Sequence, residues 1–266
     1  MSNQPADSLQ QKLKAFERTL NIMDDLRAKC PWDKKQTIDS LRILTIEETY
    51  ELCDAILQKD PKGLKEELGD LLLHIVFYSK IASETGDFDI ADVMNTLCDK
   101  LIERHPHIYG DVMAETDEQV KQNWEQIKQK NTKRSLLAGV PVSLPAIVKA
   151  YRMQEKAKQV GFEWENKAQV WEKVDEELNE FKEEAFANEI SKEKIEKEFG
   201  DLLFSLVNLS RFLNIDPEAA LEKTNLKFRN RFMLMEQMAE EKEKKLHEMN
   251  LPEMDALWNE TKKQVP

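Results

Sequence analysis

Glycine, proline and cysteine are scarce in this chain, and each scarcity narrows the possible folds. Its 266 residues include 7 Gly, 9 Pro and 3 Cys. Few helix breakers and no alternating polar and apolar stretches favour a chain that is helical nearly throughout. The three cysteines, at positions 30, 53 and 98, lack Cys-x-x-Cys spacing. The pattern therefore predicts neither a disulfide framework nor a zinc site.

Long hydrophobic runs and excess positive charge are also missing. No stretch approaches the length of a membrane span, and the first seven residues are polar, unlike a signal peptide. We therefore expect a cytoplasmic protein with no membrane partner. The net charge of -12 also argues against nucleic acid as a partner. With 41% hydrophobic residues, the chain can build two cores of ordinary domain size.

Acidic residues are abundant, and they repeat one pattern twice. The first copy is Glu47-Glu48-x-x-Glu51 followed by Glu67-x-x-Asp70, and the second is Glu176-Glu177-x-x-Glu180 followed by Glu198-x-x-Asp201. Residues three and four apart share a helix face, so each copy places carboxylates along two successive helices. Like charges at this spacing destabilise a helix by a few tenths of a kcal/mol per pair. A bound cation would offset that cost.

Oxygen ligands without His or Cys favour a hard cation, namely Mg²⁺ with Mn²⁺ as a possible substitute. For either copy alone, a solvated acidic helix face is the simpler interpretation. However, each second motif opens a long apolar run, at 70–78 and at 201–209. Such runs predict buried helices, where carboxylates must be paired or metal-bound. The positive end of the helix dipole accounts for part of the pattern.

The first acidic helix carries two apolar stripes, so we expect it to be buried on both flanks and covered by something extra. One stripe comprises Ile43, Ile46, Tyr50, Cys53 and Leu57, and the other comprises Leu41, Leu44, Leu52 and Ala55. The second acidic helix has a single stripe, made of Trp171, Val174, Leu178, Phe181 and Ala185.

The repetition continues beyond the acids. Lys100-x-x-x-Arg104 is matched by Lys227-x-x-x-Arg231, and Trp124-x-x-x-Lys128 by Trp258-x-x-x-Lys262. A repeat of about 130 residues indicates two tandem domains rather than a solenoid. We place these domains at 1–130 and 146–266, with a connector at 131–145 that contains Pro141 and Pro145.

Several motifs spread along the chain resemble the MazG nucleoside triphosphate pyrophosphohydrolases. They are Cys30-Pro31-Trp32-Asp33, Gln36-Thr37, the Glu47-to-Asp70 motif, Arg104-His105-Pro106-His107, Tyr109-Gly110-Asp111, Gly139-Val140-Pro141 and Val160-Gly161-Phe162-Glu163-Trp164. The resemblance implies an all-α, Mg²⁺-dependent enzyme that cleaves nucleoside triphosphates to a monophosphate and pyrophosphate. It also implies a homodimer in which two short helical units complete four-helix bundles.

Under this interpretation the second copy is the main site, because Lys173 has only Leu44 as its counterpart. Candidate metal ligands are Glu177, Glu180, Glu198 and Asp201, and Glu176 either supports a ligand or activates water. Candidate phosphate contacts are Lys173, Lys227, Arg231 and Lys262, with Trp258 stacking on any base. The possible first site comprises Glu47, Glu48, Glu51, Glu67, Asp70, Lys100, Arg104, Trp124 and Lys128.

Three alternatives remain open. One is a narrower all-α house-cleaning pyrophosphatase acting on dUTP, dCTP or modified nucleotides. A di-iron carboxylate bundle would need Glu-x-x-His on two helices, whereas this chain has Glu67-x-x-Asp70 and Glu198-x-x-Asp201. The third is a helical scaffold without enzymatic activity, in which the acids form only a surface.

Overall fold

The computed structural model describes residues 7–113, 116, 119, 120, 123, 124, 127 and 135–265. Ten α-helices lie within these residues: α1 (Asp7–Lys29), α2 (Ile38–Gln58), α3 (Pro61–Thr85), α4 (Ile90–Arg104), α5 (Pro106–Tyr109), α6 (Ala146–Gln159), α7 (Lys167–Ala185), α8 (Lys192–Phe212), α9 (Pro217–Glu240) and α10 (Leu251–Gln264). The described residues include no strand, which confirms the all-α class.

The chain divides into two compact units, Met1–Trp124 and Glu125–Pro266. Each unit contains one complete acidic pattern. Lys128 and part of the connector, 131–134, lie outside the described residues. No helix in the described part of the chain has the length and apolarity that a membrane crossing requires.

In the first unit, local capping fixes the hairpin of α2 and α3. Thr37 begins α2 by accepting the amide proton of Ser40, whose hydroxyl accepts from Thr37 in return. Lys59 ends the helix with a left-handed backbone at φ 55°, and Asp60 caps α3 immediately before Pro61. A two-residue link makes the helices antiparallel neighbours. The acidic stretches of α2 and α3 are at similar distances from this link. They therefore lie opposite each other in the hairpin.

The second unit repeats this arrangement with α7 and α8. The Asn166 side chain accepts from the amides of Ala168 and Gln169 at the start of α7, and Ser191 caps α8. The core between them consists of Val170, Val174, Leu202 and Leu209. A separate cluster of Met235, Ala239 and Leu257 joins α9 to α10. The core of the first unit is built from Met23, Leu41, Val76 and Phe77.

Two packing expectations are wrong for the single chain, namely burial of the first acidic helix on both flanks and burial of the helices that carry the apolar runs 70–78 and 201–209. The stripe with Leu41 and Ala55 is buried, but Tyr50 on the other stripe is 53% exposed. The helices that follow also expose apolar side chains, namely Leu68, Leu72, Leu73 and Ile75 on α3 and Phe199, Leu203, Phe204 and Leu206 on α8. A helix in so small a unit has neighbours on one side only, so its opposite face remains uncovered.

Candidate active site

Three carboxylates converge where α7 faces α8. One oxygen from each of Glu177, Glu180 and Glu198 lies within 4.8 Å of the other two. Glu177 is only 8% exposed, whereas Glu176 points to solvent. Asp201 lies one turn beyond Glu198 and lines the cavity described below. The structure therefore brings three of the four predicted metal ligands together and leaves Asp201 at the edge of the cluster.

The first unit contains a related but different cluster. Here the converging carboxylates are Glu48, Glu67 and Asp70, each within 4.8 Å of the others. Glu47 and Glu51 are exposed and do not belong to this group. Asp70 thus belongs to the cluster of the first unit. In the second unit Glu180 belongs to the cluster, and Asp201, the equivalent of Asp70, does not.

Both clusters hold carboxylates whose pKa values are raised. Burial, followed by the charges of Glu177 and Glu198, raises the pKa of Glu180. Burial also raises the pKa of Glu48 and of Glu67, with further contributions from the acids around them. One oxygen of Glu198, Oε2, is buried without a hydrogen-bond partner among the described residues. Clustered carboxylate oxygens, one of them without a partner, suit a divalent cation.

Two lysines neutralise part of the charge in the second cluster. Lys173 Nζ lies 2.8 Å from Glu176 and 2.7 Å from Glu177, and these hydrogen bonds raise its pKa. Lys197 Nζ lies 2.8 Å from Glu198 and 3.5 Å from Asp201. Sequence reasoning missed Lys197, although its spacing of four residues before Asp201 is the usual signal of an ion pair within a helix.

The other predicted phosphate contacts of the second copy are carried by α9 and α10. Arg231 on α9 donates from Nε to the Val265 carbonyl at 2.9 Å, and its guanidinium lies 6.0 Å from the centre of the Trp258 ring. Lys262 donates to Asn259 at 2.8 Å. Neither these residues nor Lys227 line the cavity beside the carboxylates. Their role in phosphate binding therefore stays a prediction.

Lys100 and Arg104, the basic residues of the first copy that the structure describes, are not paired with its acids. None of the described ion pairs joins Lys100 or Arg104 to the cluster around Glu48. Trp124 instead packs edge-on against His105, with ring centres 5.1 Å apart. The predicted Lys128 contact lies outside the described residues.

A cavity of about 640 Å³ opens beside the carboxylates of the second unit. It is bordered by α6, α7, α8 and the segment after α6. Apolar atoms form most of its wall, and Lys173, Glu177 and Asp201 are among the charged residues that border it. At another part of the wall, the buried Arg211 pairs with Glu163 and donates to Asn208 at 2.8 Å. Sequence reasoning assigned no role to this cavity.

Comparisons with known proteins agree with this architecture. A family model described as "MazG nucleotide pyrophosphohydrolase domain" matches residues 36–109, which span α2 to α5. A Thermotoga maritima protein named "Nucleoside triphosphate pyrophosphohydrolase/pyrophosphatase MazG" is 47% identical over 252 residues, covering 93% of this chain and 95% of that protein.

Two further relatives extend the comparison. An Escherichia coli protein named "Nucleoside triphosphate pyrophosphohydrolase" is 41% identical over 256 residues, covering 94% of this chain and 97% of its own length. "Uncharacterized protein YabN" of Bacillus subtilis is 46% identical over 252 residues, which cover 93% of this chain and 51% of that protein. With identity of this level along nearly its whole length, the chain belongs to the MazG family of nucleotide pyrophosphohydrolases.

Proposed function

We propose that this enzyme hydrolyses nucleoside triphosphates to nucleoside monophosphates and pyrophosphate at the carboxylate cluster of α7 and α8, with Mg²⁺ as its cofactor. The observation that carries the proposal is the convergence of Glu177, Glu180 and Glu198 beside a cavity large enough for a nucleotide. The names of the Thermotoga maritima and Escherichia coli relatives support the same reaction.

The residues of the cluster fit a divalent cation, because oxygen ligands converge and one buried oxygen of Glu198 lacks a partner among the described residues. A bound Mg²⁺ would supply charge neutralisation on the phosphates and a water of lowered pKa. Glu177, Glu180 and Glu198 would hold the ion, and Asp201, one turn beyond Glu198, is proposed as a fourth ligand. Mn²⁺ satisfies the same ligand set.

In this proposal, Lys173 supplies positive charge next to the bound triphosphate. Its ammonium group already borders the cavity and contacts Glu176 and Glu177. Lys227, Arg231 and Lys262 are proposed to neutralise the departing pyrophosphate. Glu176, which is exposed and close to Lys173, either fixes that lysine or accepts a proton from the attacking water.

We further propose that the protein is a homodimer. The support is the exposed apolar face formed by Ile43, Ile46 and Tyr50 on α2 and by Leu72 on α3. Uncovered apolar patches of this kind mark association surfaces. Light scattering after size-exclusion chromatography should give twice the chain mass of 31.1 kDa. Ile46→Glu should shift the protein toward the monomer, whereas a monomeric wild type at micromolar concentration would contradict the dimer.

Product analysis tests the reaction itself. With ATP and Mg²⁺, the wild type should form AMP and pyrophosphate, and hydrolysis in ¹⁸O-water should place the label in AMP because water attacks the α-phosphorus. ADP with orthophosphate as the first products would overturn the proposal. A label found in pyrophosphate would keep the products but move the attack to the β-phosphorus.

Substrate range separates the two enzymatic candidates. We propose broad base specificity, since stacking on Trp258 tolerates every base. Similar kcat/KM values for the ribonucleotides and deoxyribonucleotides of all bases are expected. A strong preference for dUTP, dCTP or a modified nucleotide would favour the narrower house-cleaning enzyme instead.

A further inference from the structure

Lys197 is a cation of the second unit to which the proposed reaction gives no role. It lies on α8, directly before Glu198 and one turn before Asp201. Its Nζ lies 2.8 Å from Glu198 Oε1 and 3.5 Å from Asp201 Oδ2. The other oxygen of Glu198, Oε2, is buried and has no hydrogen-bond partner among the described residues. One lysine thus pairs with two of the four proposed metal ligands and leaves one oxygen of Glu198 for a cation.

The first unit carries an acid where the second carries Lys197. Glu67 and Glu198 are 131 residues apart, so the counterpart of Lys197 is Glu66. Among the ion pairs that the structure describes, none reaches the three carboxylates of the first cluster. The acidic pattern therefore forms without a lysine partner. Pairing with Lys197 is a feature of the second cluster rather than a requirement of the fold.

The ion pair between Lys197 and Glu198 joins an exposed side chain to a largely buried one. The Lys197 side chain is 69% exposed, whereas that of Glu198 is 13% exposed. Ion pairs of exposed lysines contribute little to stability, because water screens the charge and the long side chain loses conformational freedom. Breaking this pair therefore costs little. A cation that binds Glu198 and Asp201 would release the ammonium group toward solvent while the buried carboxylate stays in place.

The charge of Lys197 acts differently on a free cation and on a cation that carries a triphosphate. A divalent cation held by Glu198 and Asp201 would lie close to the Lys197 ammonium group, because both carboxylates contact that group. The like charges repel each other, which weakens binding of the free cation. A triphosphate brings several negative charges and offsets this repulsion, since its phosphates attract both the cation and the lysine. The lysine therefore favours joint binding of the cation and the triphosphate.

We propose that Lys197 is a positioning residue that holds Glu198 and Asp201 until a divalent cation binds together with a triphosphate. Its charge weakens binding of the free cation and strengthens binding of the cation with its triphosphate. The two ligands are thereby coupled, and each raises the affinity of the protein for the other. This inference rests on the proposed function, to which it adds the residue that couples the metal to the substrate.

The test removes the charge of Lys197 in the full-length protein. Lys197→Met keeps a long side chain without the charge, and Lys197→Arg keeps the charge. The matched control is Lys194→Met, which removes a lysine of the same helix that pairs with Glu184 instead of the cluster. Every protein also carries Glu48→Gln, which takes one carboxylate from the first cluster so that the metal signal comes from the second. Binding of free Mn²⁺ is measured by electron paramagnetic resonance. Binding of α,β-methylene-ATP, which cannot be hydrolysed between these phosphorus atoms, is measured by calorimetry at saturating Mn²⁺.

Lys197→Met should tighten binding of free Mn²⁺ by about 3- to 10-fold and weaken binding of α,β-methylene-ATP by a similar factor, the range expected for one exposed charge beside a divalent ion. Lys197→Arg and Lys194→Met should stay within about twofold of the parent protein in both measurements. Binding of Mn²⁺ that is unchanged or weaker in Lys197→Met would overturn the inference, and so would binding of the analogue that is unchanged or tighter. Neither measurement involves turnover. A protein that meets these expectations but releases no pyrophosphate from ATP would therefore refute the proposed function and leave the coupling by Lys197 intact.

Discussion

Lys173 Nζ lies 2.7 Å from Glu177, which is also one of the three carboxylates that converge in the second cluster. Lys173 and a cation held by the cluster would therefore share the Glu177 carboxylate. An entering cation would compete with Lys173 for this carboxylate. Once displaced, the ammonium group is free to contact a phosphate at the edge of the cavity.

Lys173→Met should lower kcat/KM for ATP by about 10- to 100-fold, because hydrogen bonds to charged groups contribute about 1.5–3 kcal/mol. The same variant should bind Mg²⁺ or Mn²⁺ at least as tightly as the wild type, since the competing cation is gone. Steady-state kinetics and Mn²⁺ titration followed by electron paramagnetic resonance measure the two effects. Lys194→Met, which removes an exposed lysine paired with Glu184, provides the control. Weaker metal binding in Lys173→Met would contradict this competition.

Asp201→Asn and Asp70→Asn should have unequal effects, because only the second cluster adjoins the large cavity. We expect Asp201→Asn to abolish turnover and Asp70→Asn to leave most of it. Neither substitution should reduce helicity, since each removes a charge from a crowded acidic set. ATP hydrolysis and circular dichroism provide the measurements, with the exposed Asp175→Asn as a control for Asp201. Loss of activity in Asp70→Asn alone would move the reaction to the first unit.

The raised pKa of Glu48 makes the metal-free protein depend on pH in a defined direction. Its pKa in the folded state lies above the ordinary value of 4.5, so the folded state binds more protons between these two values and stability falls as pH rises through that window. Glu48→Gln should therefore raise the melting temperature at pH 7 in EDTA, and this gain should shrink toward pH 4. With saturating Mg²⁺ the wild type should have the higher melting temperature, because only the wild type keeps the Glu48 carboxylate as a metal ligand. A gain that does not change with pH would refute the assignment.

Arg27→Met should destabilise the first unit without affecting the reaction. The side chain ties Glu84 of α3 to the carbonyls of Asp33 and Gln36, and Glu84 is itself partly exposed. We expect a loss of about 1–3 kcal/mol in the free energy of unfolding, mostly from the carbonyl contacts. The Arg27 hydrogen bond lowers the pKa of Glu84. The stability that this ion pair contributes is therefore present above pH 4.5 and is lost as pH falls. Denaturant unfolding measures the change, and the exposed Arg18→Met is the matched control.

The sequence predicted the fold and the acidic clusters because both follow from local spacing. Apolar spacing at the helix period and the scarcity of Gly and Pro need no tertiary information. Motifs on two helices joined by a short link must also meet. Glu177 and Glu198 were therefore identifiable from the sequence alone.

The cavity and its polar wall could not be predicted in the same way. Arg211 finds Glu163 across 48 positions of the chain, and nothing near either residue in the sequence signals this pairing. Spacing also shows which residues share a helix face without showing what that face packs against. Lys227 and Arg231 share a face of α9, yet Arg231 contacts the Val265 carbonyl beyond the end of α10.

Phe77 and Arg27 of the first unit precede Asn208 and Ala157 of the second by 131 and 130 residues, and the two smaller side chains line the cavity of the second unit. A cavity lacks the packing contacts that a filled space would make. The second unit is therefore less stable than it would be without this opening, as is common at functional sites. The first unit has closed the equivalent space with core packing and a bidentate ion pair. Filling the second cavity, as in Ala157→Met, should therefore yield a more heat-resistant protein that binds nucleotides poorly. The first unit, in which the equivalent positions are already filled, can accumulate such stabilising changes without closing a cavity.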